Sequence, residues 1–281
     1  MLFKHHRKFR RSLAKRTILR PNLFINPSDH MALDALIDGC WDQFLTDSIR
    51  AISANNRNDG FINIGANIGL ISTQVEDTFG KIIAVEPNPI AFGVLQANAL
   101  THIPQSKLSL RNFGLGKNTA LAQLEIPSKN LGGAFVRGPD NRLTEEQLER
   151  KEGGEISITK TLDISIESAH DFFEDLNSKI TNDQCRIVIK IGVASMEDSI
   201  IRVLLASKLW CSKEVICFFE TWSSESKAEI LSLLGESVLI QPKNKMQWLH
   251  ASEIRNLETS IELCIWSSRI PNQALVQARI Q

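Results

Sequence analysis

Two glycines four residues apart, Gly65 and Gly69, stand directly behind the apolar run Phe61-Ile62-Asn63-Ile64. Ala66, Asn67 and Ile68 lie between them and Leu70 follows, so a buried strand passes through a glycine turn into a helical pattern. Glycines at such a crossover let the backbone approach a ligand closely, and the start of a helix offers amide N–H groups with no intrahelical partner. Asn67 is expected to cap that helix. The spacing is G-x-x-x-G, which differs from the G-x-G-x-x-G of a dinucleotide pyrophosphate site, so a ligand without a pyrophosphate is expected. A second apolar run ends 21 residues after Gly65, in Ala84-Val85-Glu86-Pro87-Asn88-Pro89. A carboxylate at the tip of a second strand accepts hydrogen bonds from ribose hydroxyls. The alternative for Glu86 is a cap for the helix that Pro89 opens. The glycine turn and the acid together point to a ligand of the adenosine type.

The acids Asp163, Glu197, Asp198 and Glu220 fall at the ends of predicted elements, where an open α/β sheet gathers its ligands, and are the candidate general bases. Each has a structural alternative. Asp163 would cap a helix over 164–173, Glu197 and Asp198 would complement a helix dipole, and Glu220 would be a solvated strand end. Trp222 has two readings, core packing like the other four tryptophans or a ring on which a sugar stacks. Tyrosine is absent, which excludes mechanisms that need a phenol. The five cysteines form no CxxC pair and the histidines fall in no recognisable pattern, so no metal site is assigned.

The elements that must position these residues follow from hydrophobic patterning. Short apolar runs at 60–64, 81–85, 108–113, 186–191 and 214–219 read as buried strands, and helical patterns cover 68–79, 89–100 and 196–209. Strand and helix in alternation specify an α/β fold with a parallel sheet covered on both faces. Two further strands, 121–126 and 156–162, interrupt the alternation as an inserted antiparallel hairpin. The polar, glycine-containing loop 127–155 lies between them, and a loop of that length is usually functional or disordered.

Asn63-Ile64-Gly65-Ala66-Asn67-Ile68-Gly69 followed by Val85-Glu86-Pro87-Asn88-Pro89 resembles the FkbM family of S-adenosylmethionine-dependent methyltransferases. Arg111-Asn112-Phe113-Gly114-Leu115-Gly116, Asn130-Leu131-Gly132-Gly133 and Thr161-Leu162-Asp163 resemble further segments of that family in the same order. The resemblance covers 57–225. It implies a Rossmann-like seven-stranded methyltransferase sheet, S-adenosyl-L-methionine as cofactor, and a hydroxyl oxygen of a sugar, glycan or small metabolite as acceptor. The cofactor-binding residues it implies are Asn63, Gly65, Ala66, Asn67, Gly69, Glu86 and Asn112. Three departures accompany it. Asn63 stands where the family usually carries an acid, and Gly192 and Ala194 replace both acids of the family's K-I-D-V-E-G element. No catalytic acid or base therefore carries over to 192 or 194. A catalytically silent relative that serves as a binding or scaffolding subunit is the alternative, and a nucleotide-binding oxidoreductase is disfavoured by the glycine spacing.

Composition frames these readings. Of 281 residues 43% are hydrophobic and 23% charged, which excludes wholesale disorder and a fibrous chain. No apolar run approaches the roughly 18 residues of a membrane-spanning helix. The zero net charge is unevenly spread: residues 1–28 hold eight Lys and Arg with no acid, leaving 24 basic against 32 acidic residues beyond. The arm is read as a frayed terminus, as an organellar leader, or as a weak contact to an anionic membrane surface or a phosphorylated carrier. A helical layer over 29–56, a methyltransferase-like domain over 57–270 and a tail over 271–281 complete the expected organisation. A cytoplasmic location and no nucleic-acid partner are expected.

Overall fold

The computed structural model describes residues 23–25, 35, 39–52, 59–128, 131–137, 158–180, 185–194, 196–221, 230, 238–241, 247–250 and 261–267. The basic arm through residue 22, Asn130, Trp222, residues 138–155 of the long loop and the 271–281 tail lie outside the described residues.

In chain order the elements are α1 (Gln43–Ile52), β1 (Gly60–Ile64), α2 (Leu70–Gln74), β2 (Lys81–Val85), α3 (Pro89–His102), β3 (Leu108–Arg111), β4 (Gly114–Gly116) and β5 (Ala120–Pro127). Then come β6 (Phe135–Val136), β7 (Ile158–Ser168), α4 (Ala169–Lys179), β8 (Arg186–Ile191), α5 (Glu197–Ala206), α6 (Lys208–Ser212) and β9 (Glu214–Thr221). Strands β10 (Val238–Gln241), β11 (Gln247–His250) and β12 (Ile261–Trp266) end the series.

The main sheet runs in the order β12-β9-β8-β1-β2-β3. Its strands are parallel except β12, which is antiparallel to β9. The described residues thus give six strands where the sequence expectation was seven. The chain winds outward from β1 through β2 to β3, then returns to the other side of β1 as β8 and β9. The direction of winding reverses between β1 and β8, and at such a reversal the connections diverge and leave a crevice beyond the strand tips.

Alternation along each strand divides the core in two. Ile62, Ile64, Ile187, Ile189, Ile191, Val215, Cys217 and Phe219 face α4, α5 and α6, whereas Phe61, Ile82, Ala84, Val188, Ile216 and Phe218 face α1, α2 and α3. Each fully buried Ile or Phe contributes about 1.5–3 kcal/mol. Burial on both sides is why these strands read as unbroken apolar runs.

Several elements differ from the sequence expectation, among them the strand expected over 156–162, which runs as β7 to Ser168 and displaces the helix expected over 164–173. The helix expected over 68–79 is only Leu70–Gln74, because Gly69 enters it in the left-handed region and the chain turns after Gln74. Val75 and Phe79 still reach the core, and the Phe79 ring stacks on Phe61 at 5.2 Å. The helix expected over 196–209 breaks at Ser207, whose hydroxyl oxygen caps α6 by accepting from Trp210 N–H at 3.2 Å. Finally, the inserted hairpin of β5 and β7 belongs to a second sheet of four strands in the order β4-β7-β5-β6. Among the described residues no helix is long and apolar enough to cross a membrane.

Candidate functional site

The tips of β1, β2 and β8 converge on one cleft, and the second sheet walls it from above. Gly65, Asn67, Glu86, Gly192 and Ala194 line it from the main sheet, and Leu124, Phe135, Val136 and Ile166 line it from the small one. Phe113, Leu115 and Met196 close the sides. The space amounts to about 650 Å³ including its open mouth.

Close backbone approach builds the floor. Gly65 adopts φ 76°, and a methyl group there would collide with the carbonyl oxygen of Gly192, so only glycine lets the end of β1 lie against the end of β8. The Gly65 and Ala66 N–H groups both donate to the Val85 carbonyl, at 2.9 and 3.0 Å, and Gly192 N–H donates to the Ile64 carbonyl at 2.9 Å. The floor is therefore hydrogen-bonded to itself, and Ala66 is buried in the core instead of lining the cleft. Gly69 at φ 87° packs on α3, where an added Cβ would stand 2.7 Å from Leu95 Cδ1.

Glu86 is the charged group of the cleft wall. It is 6% exposed, and each carboxylate oxygen accepts one backbone N–H: Oε2 from Asn67 at 2.7 Å and Oε1 from Asn88 at 2.8 Å. Burial pushes its pKa up to about 7 against the two N–H bonds and the nearby Lys190 charge, which pull the other way. A carboxylate oxygen has room for a second donor, so the side chain can still accept from a ligand hydroxyl. The helix cap proposed as its alternative role is filled by Asn88, whose Oδ1 accepts from Ile90 N–H at 3.0 Å. Asn67 does not cap α2, contrary to expectation. It sits at φ 50°, α2 starts three residues later behind Gly69, and its own N–H is held by Glu86.

The remaining expected residues scatter. Asn112 donates through Nδ2 to the Glu86 and Pro87 carbonyls at 2.9 and 3.4 Å, so it braces the turn that carries Glu86. Asn63 is 1% exposed, donates to Ser72 Oγ at 3.0 Å and leaves its Oδ1 without a partner. Asp163 is neither a helix cap nor part of the cleft. It lies exposed in the middle of β7 opposite Gln123, and the cap of the following helix is Ser168. Glu197 is 4% exposed and accepts the Val193 N–H at 3.0 Å, tying the β8–α5 turn together, with Asp198 buried beside it. Glu220 lies in β9 opposite Glu262 of β12 and does not line the cleft. At the mouth of β8, Lys190 Nζ donates to the Gly65 carbonyl at 3.2 Å and occupies the space a side chain at 192 would need. Ala194 holds φ 49° and packs against Phe135. Burial pushes the thiols of Cys217 and Cys264 well above their usual range, which leaves them unreactive.

The residues that sequence reasoning missed are the apolar ones: Phe113, Leu124, Phe135, Ile166 and Met196 bear no chemical signature. Gly132-Gly133 alone marked the segment that brings Phe135 to the cleft.

No protein-family model matches the chain, and no curated protein matches it. Solved structures are similar over much of its length. A precorrin-8W decarboxylase from Methanobacterium thermoautotrophicum is 13% identical, covering 88% of this chain and 97% of that one with a TM-score of 0.41. A putative methyltransferase from Streptococcus mutans, solved in complex with SAH, is 10% identical over 79% of this chain and 96% of its own, with a TM-score of 0.40. The methyltransferase FkbM from Methylobacillus flagellatus is 13% identical over 92% of this chain and 57% of its own, with a TM-score of 0.38. The α/β class rests on the strand order and pairing described above.

Proposed function

We infer that the chain is an S-adenosylmethionine-dependent methyltransferase of the FkbM type, transferring a methyl group to a hydroxyl oxygen of a sugar, glycan or other small hydroxylated metabolite. The observation that carries this reading is Glu86: a buried carboxylate at the tip of β2, fixed by two backbone N–H groups and facing the crevice where the sheet reverses its winding. Its remaining lone pairs suit the two hydroxyls of an adenosyl ribose. The close contact of Gly65 with Gly192 lets a ligand lie flat across the β1 and β8 tips, and the apolar groups of Phe113 and Leu115 suit a purine. Bound S-adenosylmethionine would supply an electrophilic methyl carbon on a sulfonium sulfur, whose departure needs no proton. What the chain must add is alignment and exclusion of water, and the wall formed by the small sheet is built for the second task.

A second reading, the catalytically silent relative that binds or scaffolds, is favoured by one observation. None of Asp163, Glu197 and Glu220 lines the described cleft, and Gly192 and Ala194 bring no acid to it.

Calorimetric titration with S-adenosylmethionine and S-adenosylhomocysteine tests both. Binding that Glu86→Gln weakens at least about tenfold supports the cofactor assignment, one charge-assisted hydrogen bond accounting for that factor. Failure of the wild type to bind either compound overturns it. Binding without turnover across a panel of hydroxylated acceptors selects the second reading, and binding of NADH instead selects an oxidoreductase.

A further inference from the structure

The chain upstream of β1 is fastened to the domain by two side-chain amides, and both belong to helices bordering the glycine turn. Asn98 of α3 is fully buried. Its Oδ1 accepts the Phe24 N–H at 2.6 Å, and its Nδ2 donates to the Phe24 carbonyl at 3.0 Å and to the Ile68 carbonyl at 2.8 Å. Gln74, the last residue of α2 and 3% exposed, holds Trp41 in the same manner. Its Oε1 accepts the Trp41 N–H at 2.8 Å, and its Nε2 donates to the Trp41 carbonyl and to Thr46 Oγ1, each at 2.8 Å. Each amide thus matches the donor and the acceptor of one residue's backbone, as a neighbouring strand would. Leu23, Ile25, Ala35 and Trp41 pack on the cluster of Ile68, Leu70 and Ala91.

Ile68 sits inside the turn, between Asn67, whose N–H fixes Glu86, and Gly69. Three residues of that turn, Gly65, Asn67 and Gly69, have positive φ. A backbone in that region persists where its surroundings over-determine it. Asn98 supplies such a constraint, because one amide nitrogen bonds the upstream peptide and the turn carbonyl together. Losing either partner leaves the others buried and unsatisfied.

We propose that Asn98 and Gln74 are positioning residues that make residues 23–25 and Trp41 a strap over the back of the glycine turn, so that docking of the strap and occupancy of the cleft reinforce each other. The inference rests on the proposed cofactor reading for the identity of the ligand, and on geometry alone for the effect on the turn. Reciprocity is required: if the strap strengthens binding by a factor, binding strengthens the strap by the same factor.

In the full chain, Asn98→Asp keeps the acceptor for Phe24 N–H and removes the donor to both carbonyls. Affinity for S-adenosylhomocysteine is expected to fall about tenfold, and amide hydrogen exchange at Ile68, Gly69 and Leu70 to quicken. In the wild type, saturating S-adenosylhomocysteine is expected to slow exchange of the Phe24 amide. Gln74→Glu should act with the same signs and replaces Asn98→Asp if that chain does not fold. Ser168→Ala, which uncaps α4 on the opposite face of the sheet, should lower stability and leave both readouts unchanged. A folded Asn98→Asp or Gln74→Glu chain that binds within about twofold of wild type, or exchanges its turn amides at the wild-type rate, overturns the strap. A wild type that does not bind S-adenosylhomocysteine overturns the cofactor reading instead, and the turn-exchange comparison still decides the strap.

Discussion

Glu86 meets two demands under the proposed reading, charge to receive hydroxyl donors and burial that resists charge, and their conflict makes its behaviour depend on pH. An unfolded carboxyl of this type titrates near 4.5, whereas burial holds the folded one near 7. Below about 4.5 both states carry the proton, and between the two values the folded chain keeps a proton that the unfolded chain releases. Folding stability should therefore fall as pH rises across that window, by about 1.4 kcal/mol per unit at most, and level off above about 7. Urea titrations of wild type and Glu86→Gln from pH 4.5 to 8 check this, with the slope expected only in the wild type. On the proposed cofactor reading ligand binding runs the opposite way, since ribose hydroxyls donate best to an ionised carboxylate. Affinity for S-adenosylhomocysteine should drop toward about tenfold per pH unit below 7, with proton release visible in calorimetry across buffers. Gly65 is constrained by shape instead of charge. Gly65→Ala meets both a positive φ of 76° and the Gly192 carbonyl, so it should destabilise by about 2–3 kcal/mol in thermal unfolding and abolish binding.

At the scale of elements, the cap of α4 separates stability from function. Ser168 Oγ accepts the Asp171 N–H at 3.3 Å, and the helix behind it buries Phe172, Phe173 and Leu176. Ser168→Ala should lower stability by about 1 kcal/mol, or roughly 2–4 °C in melting temperature, without touching ligand affinity. How far such elements were legible follows from which period the core imposes. Strands β1, β2 and β8 were readable to the residue because both of their faces are buried, so no alternation dilutes the apolar run. Strand β7 misled because Ile164 and Ile166 alternate with exposed Asp163, Ser165 and Glu167, a period of two that a short window confuses with the first turn of a helix. Asp163 looked like a cap or a base for the same reason. The short α2 misled in the other direction, since Val75 and Phe79 continue its apolar spacing from a turn that the core also covers. The position of Glu86 at a strand tip and the glycine turn were legible because a positive φ, a close backbone approach and a carboxylate each require particular residue types. The small-sheet wall was not, because any apolar residue of suitable volume would serve there.

Across the whole molecule the two ends of the parallel strands divide the work. The tips of β1, β2 and β8 hold the cleft, with its left-handed turn, buried acid and self-bonded floor. At the opposite, N-terminal ends of the strands a polar knot joins the layers. Asp59 Oδ1 accepts the Arg186 N–H at 2.9 Å, and the Asp59 carbonyl accepts the Gly80 N–H at 3.0 Å. Arg186 in turn donates to the Ile52 carbonyl at 2.6 Å and pairs with Glu214 at 3.3 Å, so α1, β1, β2, β8 and β9 meet there. Ser267 extends the knot, bonded to the N–H of Val215 and the carbonyl of Lys213. Arg186→Leu removes the side chain's bonds and leaves the Ile52 carbonyl and the Glu214 carboxylate without their cation, a loss of about 2–3 kcal/mol for a pair whose more open partner is about a third exposed. The urea midpoint should fall accordingly while affinity for S-adenosylhomocysteine holds, since nothing in the knot lines the cleft. Glu86→Gln should weaken binding at pH 7, while its stability sets the buried charge it removes against the Asn67 or Asn88 N–H that then meets an amide NH2 in place of an oxygen. An Arg186→Leu chain whose affinity falls together with its urea midpoint would mean that the sheet transmits strain along β1 and β8 from one end of the strands to the other, and the division of labour would have to be abandoned.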